Sequence, residues 1–588
     1  MKLKKLFNFK LWTILASVFA VLMVVFIVGT HIAVTYGSAA INMIFGTQTT
    51  KTVGTTESMR FESDWADPNG KGLFVEDKIM TRKAAAEGAV LLWNKEISGG
   101  QKALPIAKDS ALSCFSHSSV DFIESGTGSG HIDTVTQNGK NAKTTLKTAL
   151  ERYYAVNTDL WRFYEIGAGS KYTRDTGWGA TTKKWYVHEV PWAEYTKAGV
   201  TSSFASYGDA ALIIISRTGG ENGDLHFSQE VATDAGGYLS LTQEEKDMLS
   251  NVCEYRKNGT FKRAVVVFNT GNVVQMQDFE PYAENIDAAL WVGQGGTAGV
   301  NALAELLVGN ESPSGRLSDT LAYDLFSQPS TENDDLFTYA NCDKGNWYSH
   351  YMVYSEGIYV GYKYYETRYT DGIMDPAGTK ALSAKGAKHS EGAWNYDDEV
   401  AFPFGYGGSY TDFEYSSFNA EYDGEKKHYT VSVDVKNVGS VAAKEVIQVY
   451  LSKPYTEHDK QNNIEVSAVE LVGFGKTSKL QPNGRETVKI TVPAEYFKTY
   501  DATFDNGDGT KGRYVVEAGD YYLTAATDSH IAANNVIAAR TGNPPPRTKS
   551  NGRRREKSFA RSRLCQEVPD RARFDDVCRF LADGGKGL

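Results

Sequence analysis

Three short apolar runs constrain the fold of this chain more than any other feature of the sequence. The runs cover residues 210–215, 263–268 and 288–292. Apolar runs of this length without alternation are typical of parallel strands that are buried on both faces of a sheet. Helical segments are predicted between and after them, and this order predicts a layered α/β domain. We assign residues 70–400 to that domain.

The helices of this domain are predicted from capping and spacing. Thr242 and Glu245 have the spacing of a capping box, which predicts a helix after Thr242. Residues 298–308 are predicted to form another helix. Residues 76–92 are predicted to form a further one, because four apolar residues share one helical face. These four are Ile79, Ala86, Val90 and Leu91.

The hydrophobic period changes to two near residue 425. Apolar and polar residues alternate in three places, a pattern typical of half-buried strands. The apolar positions are Tyr429, Val431, Val433, Val435, then Ile447, Val449, Leu451, and finally Val488, Ile490, Val492. We therefore predict an all-β sandwich over residues 410–535.

The N-terminus carries an uncharged apolar run from Leu11 to Thr30. A run of about 20 residues is long enough to span a bilayer core, which predicts a transmembrane helix within residues 1–36. The lysines before it predict a cytoplasmic N-terminus and an extracellular remainder, so the chain is expected in the cell membrane with a single pass. Residues 37–69 are interpreted as a tether. A cleaved signal peptide is the alternative, with the small residues 38–40 near its cleavage site.

The composition changes abruptly near Arg540. Residues 1–539 contain 12 Arg, whereas residues 540–588 contain 10 Arg and no Tyr, although the whole chain has 34 Tyr. Such a change at one point is expected from a shifted reading frame, or from a disordered basic tail. We assign residues 541–588 to this segment.

Charge and cysteine usage exclude several classes of protein. The net charge of −10 argues against nucleic acid as a partner. The cysteines show neither C-x-x-C spacing nor the His pattern of a zinc site, so no structural metal or disulfide framework is expected. The cysteines are Cys114, Cys253, Cys342, Cys565 and Cys578.

Two glycine-rich segments are candidates for a site. Residues 215–224 read Ile-Ser-Arg-Thr-Gly-Gly-Glu-Asn-Gly-Asp and include Glu221 and Asp224. A glutamate in a glycine-rich loop at the C-terminal end of a strand can reach into a cleft. Residues 125–130 read Ser-Gly-Thr-Gly-Ser-Gly and lack the G-x-G-x-x-G spacing of a dinucleotide site, so they are interpreted as the lining of a cleft.

Further segments accompany these two in a fixed order along the chain. They cover residues 87–94, 293–296, 313–317, 354–365, 402–411 and 470–474. Over about residues 75–535, the set resembles glycoside hydrolase family 3, in particular the C-terminal α/β sandwich and fibronectin type III-like domain of β-glucosidase-like members.

The resemblance implies hydrolysis of terminal β-linked sugars by a retaining mechanism, without a cofactor or metal. It implies that Glu221 is the catalytic acid/base and that Gly128, Ser129 and Asp224 contribute to substrate binding. The implied substrates are oligosaccharides or aryl glycosides, and the resemblance says nothing of oligomeric state.

In the family the nucleophile is an Asp on a (β/α)₈ barrel, often within Ser-Asp-Trp. Residues 63–65 have that sequence, but too few residues precede Asp64 to form the barrel, which needs about 250. We interpret Asp64 as a chance match. Some family members carry the barrel last, and we expect this chain to stop or shift frame where it should begin.

Two other functions stay open at this point. One is a catalytically inactive, membrane-anchored carbohydrate-binding module, and the other is a purely structural cell-surface module. A retaining glycosidase needs two carboxylates, so we expect this chain to be inactive by itself.

Overall fold

The computed structural model of the chain describes residues 9–45, 71–132, 136–137, 140–141, 144–175, 186–220, 225, 237–333, 353–376, 394–543 and 565–568. The chain divides into two units, residues 1–74 and 75–588. The first contains the helix Phe9–Phe45, whose segment Leu11–Ile32 has 22 residues and a mean hydropathy of 2.8. By length and composition this segment can cross a membrane.

A six-stranded sheet forms the centre of the α/β domain. Its strands, in spatial order, are Val90–Asn94, Ala288–Trp291, Ala264–Thr270, Ala210–Arg217, Ala111–Phe115 and Ala155–Val156. The first is antiparallel to its neighbour, and the other five are parallel. The three predicted apolar runs are therefore confirmed as neighbouring parallel strands.

Both faces of the sheet are buried. Along the strand Ala210–Arg217, Ile213 and Ile215 pack into one hydrophobic cluster, while Leu212 and Ile214 pack into the other. This double burial explains why the strand has no alternating pattern. The longer helices of the domain are Lys71–Gly88, Thr158–Glu165, Gln243–Lys257, Gly299–Val308 and Tyr362–Met374, and the shorter ones are Leu146–Leu150, Trp192–Lys197, Pro329–Asn333 and Tyr396–Glu399.

The capping box before the helix Gln243–Lys257 is confirmed. The helix predicted over residues 76–92 is wrong at its C-terminal end. That helix ends at Gly88, and residues Val90–Asn94 form a strand that pairs with Ala288–Trp291. Pairing along the edge of the sheet buries Val90 and Leu91, and this tertiary contact outweighs the helical spacing of the same residues.

The predicted β-sandwich is also confirmed. Its three-stranded sheet consists of Phe413–Asp423, His428–Asn437 and Arg485–Pro493, and its four-stranded sheet consists of Glu470–Lys476, Val446–Ser452, Tyr521–Ala526 and Cys565–Val568. Burial alternates residue by residue along His428–Asn437, as the period of two predicts. The strand Cys565–Val568 belongs to the segment assigned to a shifted or disordered tail, and it pairs with Tyr521–Ala526.

Smaller elements complete the described structure. They are the strand pairs Thr499–Asp505 with Lys511–Val515, Leu321–Ala322 with Val400–Phe402, Thr136–Gln137 with Lys140–Asn141, and Arg174–Asp175 with Tyr186–Val187, and the helices Glu457–Asn462 and Ser529–Thr541.

A buried ion pair joins the α/β domain to the sandwich. The Arg316 guanidinium lies 2.7 Å from the Glu445 carboxylate, and the two side chains are only 8% and 4% exposed. Tyr415 of the sandwich also donates its hydroxyl to Glu445, at 2.7 Å. The junction therefore contains a charged pair with additional hydrogen bonding, the condition under which burial of charge is tolerated.

Candidate active site

The candidate site lies at the edge of the sheet where the parallel strands end. The Glu221 loop leaves the strand Ala210–Arg217 at this edge, and the glycine-rich residues 125–130 follow the strand Ala111–Phe115. Carboxyl ends of parallel strands are the usual place for ligands in α/β sheets. Glu221 and Asp224 themselves lie outside the described residues, so their roles stay predictions.

Arg217 holds the two ends of the Glu221 loop together. This residue is 1% exposed, and it donates two hydrogen bonds to the Glu245 carboxylate at 2.8 and 2.7 Å. The same guanidinium donates to the carbonyl oxygens of Tyr238 and Ser240, where the chain returns from the loop. Burial alone lowers the pKa of Arg217, but the Glu245 carboxylate more than offsets this and raises it.

The glycine-rich segment contacts the base of the Glu221 loop directly. The Thr127 amide donates to the Gly219 carbonyl at 3.0 Å, and Thr127 forms a parallel bridge with Gly220. A Cβ on Gly220 would lie 1.9 Å from the Thr127 hydroxyl oxygen and 2.7 Å from its carbonyl oxygen. Only glycine fits at position 220, so the close approach of the two loops requires this residue.

A buried asparagine, Asn269, connects the loops that surround the site. Its Oδ1 accepts from the Ile123 amide at 2.7 Å and from the Ser216 hydroxyl at 3.0 Å. Its Nδ2 donates to the carbonyl oxygens of Ile123 and Gly293 at 2.9 and 2.8 Å. One amide therefore fixes the starts of three loops at the carboxyl edge of the sheet, with every hydrogen-bonding position used.

A second buried carboxyl group, Glu189, lies at the same edge, beside the end of the strand Ala111–Phe115. It accepts from the backbone amides of His117 and Val190. Burial raises the pKa of Glu189 to about 7, although the Ser116 hydroxyl and the Val190 amide act in the opposite direction. With a residue exposure of 2%, Glu189 supports the backbone around Ser116 rather than facing an open cleft.

Comparison with known proteins identifies both domains. Residues 89–362 match the glycosyl hydrolase family 3 C-terminal domain, and residues 445–529 match the fibronectin type III-like domain. The chain carries the C-terminal domain of glycosyl hydrolase family 3. This match includes the Glu221 loop, the glycine-rich residues 125–130 and Asn269.

Several similar proteins are named β-glucosidases. A β-glucosidase of Ruminococcus albus is 34% identical over 451 residues, which are 76% of this chain and 39% of that protein. The structure of a β-glucosidase from Paenibacillus barengoltzii matches with a TM-score of 0.58 and 28% identity, over 84% of this chain and 44% of that one. β-Glucosidase 3B of Thermotoga neapolitana, solved in complex with glucose, matches with a TM-score of 0.57 and 28% identity, over 78% and 53%. The chain thus spans about half or less of these relatives.

The structure describes some of the residues predicted from the sequence and not others. Gly128 adopts a φ of 66° and begins a short 3₁₀ turn, Gly128–Gly130, which also contains the backbone of Ser129. Ser63, Asp64 and Trp65 lie outside the described residues. Trp161 is 3% exposed and packs in the core.

Arg217 and Asn269 were not singled out from the sequence of the family 3 domain. Each is a large polar residue near the C-terminal end of a buried, mostly apolar strand, and that exception is the signal that could have identified both. Among the described residues no group of three His, Cys, Asp or Glu side chains is arranged to hold a metal ion.

Proposed function

We propose that this chain supplies the acid/base half of a β-glucosidase-like glycoside hydrolase with a retaining mechanism. The observation that supports this best is the anchoring of the Glu221 loop, which starts and ends on the buried Arg217 and contacts the glycine-rich segment. A loop fixed at both ends can hold its carboxyl group in a reproducible position. The names of the relatives favour terminal β-linked glucose in oligosaccharides or aryl glycosides as the substrate.

In the proposed mechanism, Glu221 first protonates the glycosidic oxygen of the leaving group and then activates water. A second carboxylate, roughly 5–5.5 Å away, forms the glycosyl-enzyme intermediate. Gly128, Ser129 and Asp224 contact the substrate. The nucleophile is expected on a (β/α)₈ barrel, which is not among the residues that the structure describes.

The test of this proposal is hydrolysis of two aryl β-glucosides by a protein that contains both this chain and the nucleophile barrel. The same protein with Glu221→Gln is the comparison. We expect the substitution to lower kcat by about 10²–10⁴ for a phenyl leaving group, because general acid catalysis contributes that much. A dinitrophenyl leaving group needs no proton, so formation of the intermediate should be affected much less. Equal losses of kcat/KM, which reports formation of the intermediate, on both substrates would contradict the role of Glu221 as the acid.

Residues 41–540 alone are expected to show no turnover, because one carboxylate cannot replace two. The measurement is release of nitrophenol from an aryl β-glucoside by this fragment. Activity that disappears in Glu221→Gln would show that the second carboxylate lies within the fragment.

We further propose that Leu11–Ile32 anchors the chain in the cell membrane, with residues 75–543 on the extracellular side. The length of 22 residues and the mean hydropathy of 2.8 support a span, and the lysines before Leu11 support a cytoplasmic N-terminus. The chain is expected to stay in the membrane fraction after alkaline carbonate extraction, whereas a chain without residues 1–36 is expected to be soluble. Release of the full chain by carbonate would refute the anchor.

A carbohydrate-binding module without catalysis is the second candidate. This alternative predicts sugar binding that survives Glu221→Gln, with no turnover from any preparation of the protein.

A further inference from the structure

Three glycines, Gly126, Gly219 and Gly271, lie between the glycine-rich segment and the base of the Glu221 loop. The amide side chains of Asn272 and Gln294 lie against them, and we call this surface the floor. An idealised Cβ on Gly219 would be 3.3 Å from Oδ1 and 3.4 Å from Nδ2 of Asn272. An idealised Cβ on Gly271 would be 3.7 Å from Cδ of Gln294, and one on Gly126 would be 4.0 Å from its Oε1.

Neither amide side chain forms a hydrogen bond within the described part of the chain. The neighbouring buried amide Asn269 uses all of its hydrogen-bonding groups, whereas Asn272 and Gln294 are half-buried and use none of theirs. The hydroxyl of Thr127, which borders the floor, is buried and also has no partner there. A buried hydroxyl normally has a partner, and the two amides keep donors and acceptors free for a ligand, so the floor is suited to a polar ligand.

The chemistry of the floor matches a sugar. An amide group offers two donors and one acceptor, and a sugar hydroxyl both donates and accepts. The three glycines let the two loops and the two amide side chains lie close together, because a side chain at these positions would approach Gly219, Asn272 or Gln294. No charged side chain is needed for such recognition, which distinguishes this floor from a site for a phosphate or a carboxylate.

The position of the floor indicates which sugar is bound. The general acid protonates the glycosidic oxygen that departs with the leaving group, so residues beside the acid face that group. Gly219 precedes Glu221 by only two positions. We propose that Asn272 and Gln294 bind hydroxyl groups of the leaving-group sugar and thereby favour oligosaccharides over aryl glycosides. This inference rests on the proposed function, since it takes Glu221 as the acid.

The test uses the full chain and a β-linked disaccharide of glucose as the probe, with binding followed by ligand-observed NMR. Asn272→Ala and Gln294→Ala are each expected to weaken binding about 10-fold, the usual effect of losing one hydrogen bond. Where a preparation turns substrate over, kcat/KM should fall by the same factor for the disaccharide. It should stay within about 2-fold for an aryl β-glucoside, whose leaving group has no sugar hydroxyl.

Asn285→Ala is the matched control. Asn285 is also a half-buried amide without a side-chain hydrogen bond among the described residues, but it precedes the strand Ala288–Trp291 and therefore lies at the opposite edge of the sheet. Its replacement should leave disaccharide binding unchanged. Circular dichroism and the melting temperature of every variant exclude loss of folding as the cause.

Each result decides between the two proposals. Unchanged binding in Asn272→Ala and Gln294→Ala, equal losses on both kinds of substrate, or no binding by the wild-type chain would overturn the leaving-group site. Disaccharide binding that depends on both amides, together with equal losses on the two aryl β-glucosides in Glu221→Gln, would refute the acid/base role of Glu221 and leave a sugar-binding site in place.

Discussion

At the scale of single residues, Glu245 has two structural roles. Its carboxylate caps the helix Gln243–Lys257 by accepting from the Thr242 amide, and it neutralises the buried Arg217. The first role could be predicted from the sequence because a capping box is local. The second could not, because it depends on a contact between a strand and a helix 28 positions apart. The same limitation applies to Asn269, whose partners come from three separate segments.

We predict that Glu245→Gln lowers the free energy of unfolding by about 3–5 kcal/mol, since it leaves the Arg217 charge buried without a counter-ion. Urea denaturation followed by tryptophan fluorescence measures the change. Glu254→Gln is the control in the same helix, because Glu254 is 70% exposed and its pairing with Lys257 is weak. We expect less than about 1 kcal/mol there. Similar changes in the free energy of unfolding for both variants would show that the buried Arg217–Glu245 pair stabilises the fold no more than the exposed pair does.

A pH-dependent contribution to stability is predicted at Glu517. Burial, followed by the neighbouring Asp459 carboxyl group, raises the pKa of Glu517 from an ordinary 4.5 to about 7. The folded state therefore binds the proton more tightly than the unfolded state. Stability from this group is fully present below pH 4.5 and is lost as the pH rises through 7.

Glu517→Gln tests this prediction, because the amide can donate to Asp459 at every pH. The melting temperature of the variant should decline less between pH 5 and pH 8 than that of the wild-type chain, because the variant lacks the carboxyl group that loses its proton in this range. His458 and Thr456 face the same carboxyl pair and are unchanged in this comparison. Parallel pH profiles for the two proteins would contradict the assignment.

At the scale of elements, patterns that arise from burial were predicted well and patterns that arise from pairing were not. The strands Ala210–Arg217 and His428–Asn437 follow from hydrophobicity alone, because one is buried on both faces and the other on one. Residues 90–92 have helical spacing but form a strand, because the edge of the sheet pairs with them. Their hydrophobic pattern suits both structures, and only the tertiary partner decides.

Gly220→Ala is expected to separate the glycine-rich segment from the Glu221 loop. The added Cβ would overlap the Thr127 hydroxyl and carbonyl, so we expect a loss of about 1–3 kcal/mol in stability. The Thr127 amide should also exchange faster with deuterium, because its bond to Gly219 is broken.

Gly130→Ala serves as the control within the glycine-rich segment. No atom lies within 4 Å of a Cβ at this position, so stability and exchange should stay near the wild-type values. If Gly220→Ala behaved like this control, the contact between the two loops would not be a tight one.

At the scale of the residues 75–588 unit, the α/β domain and the sandwich are joined by more than chain connectivity. The helix Lys71–Gly88 contributes Glu87, which pairs with Lys444 and Lys476 of the sandwich. Arg316 contributes the buried pair with Glu445. Both domains could be predicted from the sequence, but these contacts could not. A charged residue at a domain junction has no sequence pattern that distinguishes it from one on the open surface.

Glu445→Gln is predicted to divide the thermal unfolding of this unit into two transitions. The variant leaves Arg316 buried without a charged partner, which weakens the junction by about 3–5 kcal/mol. Differential scanning calorimetry measures the separation. Glu311→Gln is the control, because its pair with Lys479 crosses the same junction with both side chains about 40% exposed. A single transition in both variants would mean that Glu445 does not couple the domains.

The arrangement around Arg217 has a consequence for how the protein can change over time. One guanidinium fixes the point where residues 218–237 leave the sheet and the point where they return. A frame of this kind tolerates connecting segments of different length, because doubling the length of a closed loop costs only about 0.6 kcal/mol. Under the proposed function, insertions and deletions within residues 218–237 are therefore expected to change the preference for leaving groups while the sheet and its neighbours keep the same sequence.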